Sequence, residues 1–163
     1  MSLSIYWDNI FKKDRGVGSI NDALARNIMF KDLSRTEVAL VQSITHLRNY
    51  HPGEVIFKQS EVGVGMYIIS KGSVDINYEE NRITTLKEDD FFGELALVEE
   101  RGIRIATATA KEDSQLIGFF KPDLTQIMNQ HPDIGVKILF RVSQVIAARL
   151  HEATNLVKTL QRN

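Results

Sequence analysis

Cysteine is absent from this 163-residue chain, so neither a disulfide framework nor a thiolate metal site can form, which fits a reducing compartment. No apolar run approaches the ~20 residues that a membrane-spanning helix needs, and no signal peptide is expected, so the expected location is cytoplasmic. Excess charge of one sign is also missing: 20 Lys and Arg stand against 21 Asp and Glu, a formal net charge of -1. Broad attraction to nucleic acid or to an acidic membrane surface is therefore not expected. His46, His51, His131 and His151 show no zinc-motif spacing. Neither a Gly-x-Ser-x-Gly elbow nor a Gly-x-x-x-x-Gly-Lys loop occurs, so an enzyme is not expected. Low-complexity segments and clear repeats are lacking as well.

What remains is long enough for one well-buried core and divides into a helical start, a strand-rich middle and a helical end. Ile5, Trp7, Ile10 and Phe11 predict a short amphipathic helix, and residues 12–18, basic and Gly-containing, predict a flexible link. Ser19 and Asp22 give a weak helix start before Ile20, Leu24 and Ile28. Ser34 and Glu37 form a better capping box before Val38, Val41 and Leu47. From Gly53 onward the runs become short and β-rich, at 55–57, 66–70, 73–78, 82–86, 104–110 and 115–120, with Gly63, Gly65 and Gly72 at turns. Such runs predict an antiparallel sandwich or roll. Tyr67, Ile69, Val74, Leu95 and Leu97 read as core.

The last third is helical after Pro122 and Pro132. Leu139, Ser143, Ile146, Leu150, Ala153, Val157 and Leu160 recur at alternating intervals of four and three, the a/d spacing of a coiled coil. A homodimer through this helix is expected, while Ile138, Val142 and Val145 form a second stripe for packing on the sheet. The alternative, one amphipathic helix folded wholly against its own domain, stays open.

Chemistry concentrates in residues 92–108, FGELALVEERGIRIATA. Gly93 lets the backbone approach a ligand closely, and residues 94–98 read as a short helical turn whose free N–H groups favour an anion. Glu94 supplies acceptors for a sugar hydroxyl. Arg104 supplies a permanent cation whose donor fork suits a phosphodiester. One carboxylate and one guanidinium match a small phosphorylated sugar with a free hydroxyl and a single negative charge.

This run resembles the phosphate-binding cassette of the cyclic nucleotide-binding domain family, of catabolite activator type, and residues 50–76, YHPGEVIFKQSEVGVGMYIISKGSVDI, resemble its first β-roll half. The resemblance covers roughly residues 32–150. It implies an α+β fold, an antiparallel jelly-roll-like β-roll flanked by N-terminal helices and a long C-terminal helix, with residues 1–31 as a helical extension and 32–163 as the binding domain. It implies cAMP or cGMP as ligand and no cofactor, with Gly93, Glu94, Leu95, Arg104 and Ile105 forming the cassette. Glu94 would meet the ribose 2′-hydroxyl and Arg104 the cyclic phosphate. Ile76 and Ile83 would flank the base, Thr84 would offer it a hydroxyl, and Thr154 and Asn155 on the final helix would close over it. The family also continues into a helix-turn-helix domain in its DNA-binding members, whereas this sequence stops at Asn163, so no nucleic-acid reader is expected.

Ile105 departs from the family pattern, which generally places Ala, Ser or Thr after the arginine. Two functions therefore stay open. One is a regulatory sensor that transmits cyclic nucleotide occupancy through the C-terminal helix. The other is a binding-incompetent scaffold for dimerisation or docking of an effector protein, in which Glu94 and Arg104 only pair with each other and Trp7 and Phe11 serve for docking.

Overall fold

The computed structural model describes residues 16–161, so the helix expected around Trp7 and Phe11 lies outside the described residues. The helices are α1 (Gly16–Arg26), α2 (Arg35–Ile44), α3 (Leu95–Val98), α4 (Lys121–Gln130) and α5 (Pro132–Leu160), with a 3-10 turn at Ile28–Phe30. The strands are β1 (His46–Tyr50), β2 (Val55–Phe57), β3 (Gly65–Lys71), β4 (Val74–Tyr78), β5 (Asn81–Leu86), β6 (Phe91–Phe92), β7 (Thr107–Ala110) and β8 (Ser114–Phe120). They form two four-stranded antiparallel sheets, ordered β1-β8-β3-β6 and β2-β7-β4-β5. The α+β roll with helices before it and a long helix after it is the expected fold.

Strand alternation explains the layering. Met66 and Ile68 of β3 and Ile117 and Phe119 of β8 face the helices, where they meet Leu24, Phe30, Val41, Leu124, Ile127, Ile138 and Val142. Ile69 and Leu116, on the opposite face, meet Val74, Phe92 and Ala108 between the sheets. The first sheet is thus covered on both sides, and β3 and β8 are buried on both faces. Among the expected core residues, Ile69, Val74 and Leu97 are buried, whereas Tyr67 and Leu95 are half-buried.

Several boundaries differ from expectation. α1 begins at Gly16, inside the expected link, because burial of Ala23 and Leu24 fixes the helix whatever the local glycine propensity. The capping box at Ser34 and Glu37 is present, but α2 stops at Ile44 and Thr45 is extended. Leu47 therefore lies on β1, opposite Ile117, and is 41% exposed. β1 is an edge strand with almost every residue exposed, so it carries no alternation to read. β6 has two residues, too few for a pattern. The strand expected from Arg104 begins only at Thr107. Before it, the chain instead lies along the 60–63 loop, with Arg104 N donating to Glu61 O (2.8 Å) and Ser60 N to Arg104 O (2.8 Å).

α5 carries the expected inner stripe, with Ile138 and Val142 buried and Val145 packed against them. Leu139 and Ile146 join this core too, so they are not free for a partner seam. The exposed apolar residues are Val136, Phe140, Leu150, Leu156, Val157 and Leu160. Two ion pairs tie the helix to the N-terminal region: Arg141 grips Asp32 through Nε (2.6 Å) and Nη2 (2.8 Å), and Lys137 Nζ donates to Glu37 Oε1 (2.7 Å).

Candidate functional site

A cavity of about 250 Å³ opens between the second sheet, the α3 segment and α5. Its floor is apolar, formed by Phe57, Ile76, Leu86, Phe91, Phe92 and Ala106; Thr84, Glu94, Arg104 and Arg149 supply its polar side chains. Gly93, Leu95, Ile83 and Ile105 also line it. Eight of the ten residues singled out from sequence are thus brought together. Thr154 and Asn155 are not: both are exposed on the distal part of α5, where Thr154 Oγ1 donates to Leu150 O (2.8 Å) and Asn155 O accepts from Thr159 Oγ1 (3.0 Å). α5 is continuous to Leu160, and among its described residues only Arg149 lines the cavity.

Gly93 has φ +81°, a conformation that only glycine adopts without strain, and a Cβ there would lie 2.6 Å from Arg104 Nη1. A Cβ at Gly63 would lie 2.1 Å from Arg104 Nε. These two glycines therefore make the slot that the guanidinium fills. Within it, Arg104 Nη1 donates to Gly93 O (3.1 Å) and Nη2 to Gly65 O (2.7 Å), while Cζ lies 4.0 Å from the Phe57 ring centroid. Fork, stack and slot together fix the cation in place.

Arg104 is only 7% exposed, and its Nε is buried with no hydrogen-bond partner. Burial pushes its pKa below the ordinary guanidinium value, with Tyr67 and Glu94 pulling the other way, yet an arginine stays charged. Arg104 forms no ion pair among the described residues. A buried cation with no direct ion-pair partner is costly, and an anion entering the cavity would relieve that cost.

Glu94, 2% exposed, does not pair with Arg104; it accepts a short hydrogen bond from Arg149 Nη1 of α5. The Arg149 guanidinium also lies over the Phe91 ring, 5.0 Å from its centroid. Sequence reasoning did not single out Arg149 as a residue of the site. A single arginine on a long, charged helix carries no local mark of its distant partner. Ile105 is 68% exposed at the cavity mouth and does not enter the core. Two guanidiniums against one carboxylate leave the cavity with one net positive charge, suited to a monoanion. No cluster of potential metal ligands and no helix long and apolar enough to cross a membrane occur among the described residues.

Residues 47–131 match the family model described as a cyclic nucleotide-binding domain. The chain is 30% identical over 130 residues to a cyclic AMP receptor protein of Thermus thermophilus, covering 77% of this chain and 58% of that protein. It is 38% identical over 80 residues to Rap guanine nucleotide exchange factor 1 of Caenorhabditis elegans, covering 49% of this chain and 8% of that one. Among solved structures, the Thermus thermophilus catabolite activator protein superposes with a TM-score of 0.73 at 27% identity, over 83% of this chain and 63% of the other. The chain therefore spans little more than half the length of the first relative and a small fraction of the second.

Proposed function

The chain belongs to the cyclic nucleotide-binding domain family, and on that premise we propose that it is a non-enzymatic regulatory module that binds cAMP or cGMP in the cavity beside Arg104. The observation that carries this reading is Arg104 itself: a buried, slotted cation without a carboxylate partner, facing a cavity of small-ligand size. Arg104 would take the cyclic phosphate and Glu94 the ribose 2′-hydroxyl. Ile76 and Ile83 would hold the base by apolar contact, with Thr84 beside it. Residues 32–163 would form the sensing unit and 1–31 its helical extension.

Occupancy would be transmitted through α5, because Arg149 ties that helix to the same Glu94 that would receive the ribose. The exposed stripe on α5 would pair with a second copy, and its seam is Phe140, Ala147, Leu150 and Val157 rather than one through Leu139 and Ile146, which the core already uses. One observation favours the scaffold reading instead: Glu94 is already occupied by Arg149.

Calorimetric titration with cAMP and with cGMP separates the two. Charge-assisted bonds contribute about 1.5 to 3 kcal/mol each, so Arg104→Ala is expected to weaken binding by at least about tenfold with the fold retained. Glu94→Ala is expected to weaken ligands with a free 2′-hydroxyl more than 2′-deoxy analogues. Heat of binding absent for both nucleotides in the parent protein would overturn the sensor reading.

A further inference from the structure

The turn that delivers the site to its place is held from outside by α1. Asp89 lies between β5 and β6 with φ +70°, a left-handed conformation unusual for a residue with a side chain. On one side the turn is bonded to the core strand β3, with Asp89 N donating to Ile69 O (2.9 Å) and Ile69 N to Asp90 O (2.9 Å). On the other side Arg26, in the last turn of α1, grips the Asp89 carboxylate through Nε to Oδ2 (3.0 Å) and Nη2 to Oδ1 (2.8 Å). Asn27, 1% exposed, spans the same gap: its Nδ2 donates to Asp89 O (3.2 Å) and its Oδ1 accepts from Met29 N (3.0 Å). Four and five residues beyond Asp89 stand Gly93 and Glu94, and Phe91, between Asp89 and Gly93, lies beneath the Arg149 guanidinium.

We propose that Arg26, Asn27 and Asp89 are positioning residues for the ligand cassette: the clamp between α1 and the 87–90 turn sets where β6 ends and hence where Gly93 and Glu94 stand. None of the three would touch ligand. Whatever moves the N-terminal helix would then change affinity, and ligand would in turn tighten the clamp, because linkage is reciprocal. The Arg26 pair is partly exposed and adds little to stability by itself, so its effect on the cassette is separable from unfolding.

The proposal rests on the cyclic nucleotide reading for its affinity arm only. Hydrogen exchange of ligand-free protein reads the cassette directly, and cAMP titration reads the consequence. Arg26→Glu places two carboxylates against each other, while Asp89→Asn removes the charge with a residue that tolerates positive φ. Both are expected to speed exchange of the amides of residues 91–97 and to weaken cAMP binding, by roughly threefold or more. Arg26→Lys, which keeps the pair, should stay near the parent, and Arg141→Ala, which cuts a comparable clamp elsewhere, should leave residues 91–97 unchanged. Faster exchange confined to residues 20–30, or an equal effect from Arg141→Ala, would overturn the proposal. A parent that binds neither nucleotide would end the functional reading and leave the exchange result to decide the clamp.

Discussion

Ile105 stands at the mouth of the cavity with most of its surface in water, so its side chain contributes almost nothing to the core. Ile105→Ser should therefore change stability by no more than about 0.5 kcal/mol in thermal unfolding. It would also add a hydroxyl donor beside Arg104, and a hydrogen bond to a charged phosphate is expected to tighten cyclic nucleotide binding by about tenfold in calorimetry. An affinity unchanged by this substitution would mean that the hydroxyl cannot reach the ligand. Gly93 sets the opposite case, because its positive φ and its closeness to Arg104 Nη1 leave no room for a side chain. Gly93→Ala should lower stability by about 1 to 3 kcal/mol and weaken binding as the guanidinium leaves its slot. Gly93, Glu94 and Arg104 were legible from residue chemistry because their spacing is local. Arg149 was not, since its role depends on where a helix 55 residues further on comes to lie.

Along α5 the same periodicity serves two surfaces, so spacing alone does not tell the row that the core uses from the exposed one. A spacing of four and three fits Leu139 and Ile146 as well as Phe140 and Ala147, and only the docking of the helix against α4 and the 3-10 turn decides which row is covered. Ile138→Ala should lower stability by about 2 to 5 kcal/mol, as expected for a buried isoleucine, whereas Leu150→Ala in dilute protein should change it by no more than about 0.5 kcal/mol. Denaturant unfolding at low concentration distinguishes the two rows. The strands β3, β4 and β8 were legible because burial gives them apolar runs, with Gly72 at the turn between β3 and β4, and β5 through its β-branched run Ile83, Thr84, Thr85 although it is mostly exposed. β1 and β6 were not, one being an exposed edge and the other two residues long.

At the scale of the whole molecule, α5 is held at two places, and each responds to a different variable. Toward its start, Arg141 and Lys137 hold the Asp32 and Glu37 carboxyls below their ordinary pKa values, chiefly by hydrogen bonding to them. Carboxylates depressed in the folded state contribute stability above their unfolded pKa and lose it as pH falls through the folded values, so acid should loosen this end first. Thermal unfolding across the acidic range, compared with an Asp32→Asn, Glu37→Gln variant that should show a flatter profile, checks the sign. Further along, Arg149 joins the helix to Glu94, one residue before Leu150 of the exposed apolar row that would form the seam. Since Thr154 and Asn155 do not reach the cavity, coupling between dimer and ligand would have to run through Arg149. Leu150→Lys with Val157→Lys should give monomers in sedimentation, and their affinity for cyclic nucleotide should differ from that of the dimer by the factor with which ligand shifts dimerisation. Arg149→Gln should remove that difference, leaving monomer and dimer with equal affinity. Equal affinities already in the Arg149 protein would show that the seam and the cavity are independent, and that α5 reports occupancy without help from a second copy.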